Sequence, residues 1–497
     1  MGEAATRNLP IVSKQGEFHP IGSCRGYPDI PRCGSCAIPA PLDPDRLAVT
    51  LAALADTHQV PGAQLAVYHG GATVAVEVGE LKHAAGIPVT RDTAFPIGSI
   101  SKAWIATLAM ILVADGDIEL DAPLDEHLPE LHDLGGELTL CQLLSHTSGF
   151  ASSPDTPELS TLSLGRYVRK HCRWQGLILP PGSAFSYSSR NHVLAAYLIE
   201  TITRMSWSEA VESILLRPLG IDFATVVAPA RARYGRPMAT GHSVNTAVGR
   251  TRSVEQPVVP AEAPAAGLAM SAVDLVALGL MHVGPGFPQL LPAVHAERMR
   301  QAVPGAEPFG LAEGWGPGLA IFGGETTTWV GHDGNASGTS CYLRIDPVGE
   351  CVVALTTSAN TGSSLWEELR LELDLATPLP APYRCGSVPR VSGVEAAQFV
   401  GSYSNGPTEY LITAENDTDL FLEIGGDRVA RLAFYNELEF LIQDPASGQG
   451  QHVGRFLRDP STKQVEQLQI GGRLALRRPP AVPEARSPAD SICQASA

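Results

Sequence analysis

Residues 95–110 read FPIGSISKAWIATLAM, and how this stretch is read decides the fold. Ser99 follows a glycine, and Lys102 comes three residues later. From Ala103 to Ala114 the chain is almost wholly apolar, until Asp115 stops the run. On a helix, positions i and i+3 share a face, so the lysine amine reaches the serine hydroxyl. A helix N-terminus offers free N–H groups and a positive dipole end, and both favour an oxyanion. The same end and the apolar helix behind it disfavour an ammonium ion, and a lysine with a lowered pKa is a base. A serine hydroxyl needs such a base to become a competent nucleophile. No Gly-x-Ser-x-Gly occurs in the chain, so the nucleophile elbow of the common esterase fold is absent. Taken alone, Ser-x-x-Lys equally describes a solvated helix start.

The rest of the chain sets bounds. Its 497 residues are too many for one small core and imply two or three domains. It is 44% hydrophobic and 18% charged, as an ordinary globular enzyme is. The net charge of -17, with no Lys/Arg cluster, argues against a nucleic-acid partner and reads as solubility. MGEAATRNLPIVSKQGEFHP lacks the basic start and apolar stretch of a secretory signal. The twelve residues from Ala103 to Ala114 are too few to span a bilayer. The expectation is a cytoplasmic protein with no membrane partner, its apolar run a buried core helix. Of nine cysteines, six are scattered and read as reduced thiols. Cys24, Cys33 and Cys36 cluster, with His19 five residues upstream. A zinc knuckle, a disulfide and a plain extended arm all remain open there, and the Pro/Gly-rich surroundings favour the arm. No metal or cofactor is expected elsewhere.

Residues 1–43 read as an extension. LDPDRLAVTLAALADTHQ reads as an amphipathic helix capped by Asp43 or Asp45. PGAQLAVYHGGATVAVEVGE reads as a hairpin turning at His69-Gly70-Gly71. The pattern from Ser99 to about residue 300 is mainly helical, with a capping box at Ser271 and Asp274. Strands return at GLAIFGG, TTTWVGHDG and SCYLRIDPVGECVVALTTSAN, and SLWEELRLELDLA closes the unit as a helix. The fold class is therefore α+β over residues 44–380, an antiparallel sheet flanked by helices with a helical subdomain. APYRCGSVPR, 381–390, reads as a linker. Seven closely spaced strands follow over 391–480, a small all-β barrel or sandwich, and 481–497 is a tail.

Further motifs stand in order along the α+β unit. LLSHTSGF occupies 143–150, FSYSSRNHVLAAYLIE carries Tyr187, AAGLAMSAVDL carries the capping box, and WVGHDGNASGTS carries His332, Asp333 and Gly334. With Ser-x-x-Lys before them, these segments resemble the penicillin-recognising serine enzymes: class C β-lactamases, DD-peptidases and the related esterases, amidases and transacylases. The resemblance covers about residues 44–380. It implies a β-lactamase-like sheet and an acyl-enzyme on Ser99. It also implies that Lys102 and Tyr187 shuttle the proton, with Tyr187 near phenolate beside a cationic lysine. His332 would polarise the tyrosine hydroxyl and contact substrate. Backbone N–H groups of Ser99 and Asn335 would form the oxyanion hole, with Ser189 and Gly334 binding substrate. His146 reads as structural, and His127 and His132 as solvated.

Two departures from the family pattern bear on substrate. Ser189 stands where an asparagine is usual, and His-Asp-Gly replaces Lys-Thr-Gly. A neutral imidazole holds a carboxylate less strongly than an ammonium does. Both changes resemble the esterase and transacylase branches. The expectation is a transacylase or thioesterase moving an ester or thioester acyl group to an amine, forming an amide or macrolactam. Its partners would be a small-molecule or peptidyl acyl donor, an amine acceptor and a carrier protein. Alternatives are a carboxylesterase or D-aminopeptidase/amidase, a true β-lactamase or DD-peptidase, and a non-catalytic binding domain.

Overall fold

The computed structural model describes residues 42–373 and 395–479, apart from short stretches at 135, 154–156, 228–230, 233–235, 256–257, 324–327, 417 and 445–449. Cys24, Cys33 and Cys36, the linker at 381–390 and the tail from 481 lie outside the described residues.

Helix α1 (Pro44–Thr57) starts at Asp43, whose carboxylate accepts the N–H groups of Asp45 and Arg46, with proline at the first helical position. Strands β1 (Gly62–His69) and β2 (Ala72–Gly79) form the expected hairpin, turning on Gly70 and Gly71 at φ of 60° and 83°. Helix α2 (Ser101–Asp115) is buried at every position from Ser101 to Leu112 and ends at Gly116, φ 80°. Helices α3 (Ser189–Thr203) and α4 (Ala272–Leu280) lie further along this unit. The second starts with the capping box of Ser271 and Asp274. Strands β3 (Gly314–Trp315), β4 (Ala320–Phe322), β5 (Trp329–Ala336), β6 (Thr339–Asp346) and β7 (Cys351–Thr357) follow, then helix α5 (Gly362–Glu372).

These seven strands make one antiparallel sheet in the order β2-β1-β7-β6-β5-β4-β3. The N-terminal hairpin therefore completes a sheet built by the end of the unit: Ala63 lies opposite Thr357 and Tyr68 opposite Val352. Every residue of β6 and β7 is buried, because helices cover both faces. Leu47 and Leu51 of α1 share a core with Leu365 and Leu369 of α5, while α2, α3 and α4 fill the other core. The segment Gly98–Asp115 has the length and apolarity to cross a membrane, but 78% of it is buried inside this fold.

The C-terminal unit is a closed eight-stranded antiparallel barrel, β8 (Gly401–Asn405) to β15 (Arg473–Arg477), with Tyr403 of β8 opposite Arg477 of β15. Closure removes both sheet edges. The sequence pattern yields seven of these strands. It misses β8, GSYSN, which is short and polar and buries only Tyr403 and Asn405. Phe399, Tyr403, Phe434, Phe440 and Phe456 form much of the barrel core. The last hairpin joins β14 (Val465–Ile470) to β15 through Gly471 and Gly472 and packs against the first unit beside Phe185.

Candidate active site

Ser99 lies in a 3-10 turn, Gly98–Ile100, that leads into α2. Two glycines bring this turn into backbone contact with β5. Gly98 has φ +51°, and a Cβ on it would lie 2.3 Å from the Asn335 carbonyl oxygen and 2.9 Å from the Asn335 nitrogen. A Cβ on Gly334 would lie 1.9 Å from the Ile97 carbonyl oxygen. Gly334 therefore acts here as a spacer that lets strand and turn meet. The two-residue turn after Ala336 sets the phase of the β5–β6 ladder. Alternation then leaves Asn335 in a non-hydrogen-bonded pair with Ser340, its N–H directed away from β6 on the side of the serine turn.

Lys102 is 1% exposed. Its Nζ donates to Ser99 Oγ at 3.0 Å and to the Ala265 carbonyl at 2.9 Å. The AAGLAM segment is thus a backstop to the serine helix, and it also donates the Leu268 N–H to Ser101 Oγ. Burial pulls the Lys102 pKa down to about 7. The Arg473 charge adds to this and Glu262 opposes it. Tyr187 precedes α3, with its ring centre 5.1 Å from Lys102 Nζ. Burial pushes its phenol up to about 12, while a hydrogen bond with Ser99 and the Arg473 charge pull the other way. The resting site therefore holds a neutral phenol beside an amine that is itself easily neutral. The expected phenolate–ammonium pair is not the resting state, because burial disfavours both charges.

His332 is buried in the same cluster, its ring 5.3 Å from Trp315 and 6.4 Å from Tyr187. Its Nδ1 bonds the Asp333 carbonyl at 2.6 Å, so Nδ1 carries the proton and Nε2 is left as an acceptor. Burial and the nearby Lys102 lower its pKa to about 4, so the ring is neutral near pH 7. The expected direct bond from His332 to the tyrosine hydroxyl is not formed: Nε2 has no partner among the described residues.

His146 stacks on Tyr187 at 4.3 Å with the rings 28° apart, at a φ of 58°. Its Nδ1 accepts the Ser188 N–H at 3.2 Å and the Asn191 amide at 3.0 Å. It thus holds the tyrosine segment, the structural part its sequence position implies. Asn191 is occupied with His146 and Ser148. Ser189, half-buried, is the first residue of α3. Among the described residues no three His, Cys, Asp or Glu side chains are placed to hold a metal ion.

Three contributors escape the sequence patterns. His192, on α3, lies 5.1 Å from His146, and burial holds its pKa well below the usual histidine value. Trp315, on the short strand β3, contacts His146, Tyr187 and His332. Arg473 comes from the barrel and sits 5.6 Å from the centre of the Tyr187 ring. Nothing local in GGRLALRR separates Arg473 from its neighbours, since what singles it out is the docking of the barrel.

Residues 47–377 match the family model described as Beta-lactamase. Penicillin-binding protein 4 of Amycolatopsis lactamdurans is 31% identical over 71% of this chain and 95% of its own length. Esterase EstB of Burkholderia gladioli is 30% identical over 54% of this chain and 76% of its own. Across both units, the crystal structure of SurE superposes with a TM-score of 0.76 and 37% identity, covering 88% of this chain and 99% of that one.

Proposed function

The chain belongs to the β-lactamase family of serine hydrolases, and from that premise we propose that it is a transacylase or thioesterase that passes an acyl group from an ester or thioester to an amine through Ser99. The observation that carries the reading is the hydrogen bond from Lys102 Nζ to Ser99 Oγ, made by a buried amine whose pKa lies near 7. A neutral Lys102 takes the serine proton as Oγ attacks the acyl carbonyl. The tetrahedral oxyanion forms between the N–H groups of Ser99 and Asn335, a pairing supported by the close approach of Gly98, next to Ser99, to the Asn335 backbone. Lys102 and Tyr187 pass the proton to the leaving group. That group departs, the acyl-enzyme remains, and the same pair then deprotonates the incoming amine. His332, neutral and with Nε2 free to accept, is a hydrogen-bond acceptor for the substrate rather than a counter-ion. Ser189 contributes only a hydroxyl where the family asparagine would hold an amide, which favours donors other than β-lactams.

The resemblance to SurE over 88% of this chain, a protein also crystallised with D-Leu, supports a donor ending in a D-residue as the first to test. The identity with EstB supports a second reading, in which water takes the place of the amine and the protein is an esterase. The two are told apart by incubating a peptidyl thioester ending in a D-residue, with and without an added amine, and measuring products by mass spectrometry. Amide product exceeding free acid supports the transacylase. Free acid alone, whatever the amine concentration, supports the esterase. Rapid turnover of nitrocefin would contradict the preference for donors other than β-lactams. A cytoplasmic location and delivery of the donor by a carrier protein belong to the same proposal.

A further inference from the structure

Residues 184–188, which present Tyr187, form no strand of their own. Within their own unit the Ser186 N–H donates to the His146 carbonyl at 2.9 Å. The Ser188 N–H donates to His146 Nδ1 at 3.2 Å and its hydroxyl to the Ala151 carbonyl at 2.7 Å, while four further bonds on residues 185–187 come from the barrel. The Tyr187 N–H donates to the Gly472 carbonyl at 2.9 Å. Ser186 Oγ accepts the Leu474 N–H at 3.3 Å and Asn405 Nδ2 at 3.1 Å. Gln469 Nε2 donates to the Phe185 carbonyl at 3.5 Å.

Asn405 is the hub of this junction and is fully buried. Its Nδ2 also donates to the Leu474 carbonyl at 2.7 Å, and its Oδ1 accepts the Ser152 N–H at 2.6 Å. It therefore ties β8 and β15 of the barrel to two segments of the first unit, 151–152 and 185–187. Gly472 is glycine for the same reason: at φ +69° a Cβ would lie 2.4 Å from Leu311 and 3.1 Å from Phe185. Arg473, next along, directs its guanidinium at the Tyr187 ring. A fully buried amide that makes bonds to both partners across a junction is costly to leave half-satisfied, so the junction is held as one unit.

We propose that the barrel is a positioning device for Tyr187: Asn405 and the Gly471–Arg473 turn fix the backbone that carries the tyrosine, and Arg473 holds its ring toward Lys102. This rests on the acyl-transfer reading of Ser99, Lys102 and Tyr187. Arg473 and Asn405 are positioning residues, since neither touches the reacting atoms. Lys102 is faced by Ser99 and Tyr187, by the neutral imidazoles of His146, His192 and His332, by Glu262, which raises its pKa, and by Arg473, which lowers it. Removing Arg473 takes away the cation that opposes the ammonium form.

The test uses the full chain and follows phosphonylation of Ser99 by a fluorophosphonate and acylation and turnover with a p-nitrophenyl ester. Asn405→Ala is expected to lower kcat about tenfold or more with KM changed less than about threefold. Ser186→Ala removes only the hydroxyl that accepts two barrel bonds, and serves if Asn405→Ala does not fold; a smaller fall in kcat is expected. Arg473→Met is expected to lower kcat and to move the acidic limb of the kcat/KM profile to higher pH, and Arg473→Lys to return the limb toward its original position. Ser186→Ala and Arg473→Met with the parent kcat and an unmoved limb would overturn the proposal. So would a rate loss that follows only a lower melting temperature, with the parent pH profile. If the parent protein is not labelled at Ser99, the acyl-transfer reading has failed instead, which is a separate result.

Discussion

Lys102 links the local chemistry to the fold. Its spacing from Ser99 is legible in four residues, because a helix brings i and i+3 together whatever surrounds it. Its protonation is not legible, because the burial and the Arg473 charge that set it come from α2 packing and from the barrel. Lys102→Met is expected to slow acylation by about 10²–10⁴-fold, the range lost with a general base, in stopped-flow or probe-labelling rates. The pH dependence follows from sign. The base must be neutral, so acylation rises with pH through about 7 and then levels. No alkaline fall from Tyr187 is expected below pH 10, since its phenol loses its proton near 12. A kcat/KM profile that falls from pH 6 to 8 would contradict this assignment. Tyr187 and His332 were legible through their motifs. That no bond joins them was not, since Nε2 stands without a partner only because of where the fold sets the two rings.

At the level of elements, helix caps, the first hairpin and the strands around Trp329–Thr357 were readable because each is specified by adjacent residues. Strand β8 was not, because its reason to be a strand is barrel closure against β15. The contact of the serine turn with β5 was equally hidden. It depends on Gly98 and Gly334 meeting across the fold. Gly98→Ala adds a side chain at φ +51° into the Asn335 backbone. A loss of at least about 2 kcal/mol in urea unfolding is expected, with acylation nearly abolished, because strand and turn must separate. Gly116→Ala is the control: φ is +80° but nothing lies within 4 Å of its Cβ. It is expected to cost about 1–2 kcal/mol of stability and leave acylation at the parent rate. Equal activity in the two variants would contradict the close-contact account.

The whole molecule carries a set of buried histidines whose charge the fold refuses. Burial lowers His282 and His332 to about 4, and His146 and His192 well below the usual value. Above pH 6.5 these rings are neutral both folded and unfolded, so they impose no pH dependence. Below it the unfolded chain binds protons that the folded chain does not, and stability falls as pH drops from 6.5 toward 4. Each of the two rings shifted to about 4 contributes on the order of 3 kcal/mol by the lower limit. Urea midpoints measured from pH 7.5 to 4.5 are expected to fall steeply below 6.5. A flat profile would show that these rings are not buried as described. Two units, one sheet with its helices and one barrel, together assemble the site of a single nucleophile, Ser99. The most direct test of this is intact-protein mass spectrometry after incubation with a fluorophosphonate, followed by peptide mapping. One adduct is expected, on Ser99, lost in Ser99→Ala and slowed in Lys102→Met. No adduct on a folded parent protein, or an adduct that persists in Ser99→Ala, would contradict it.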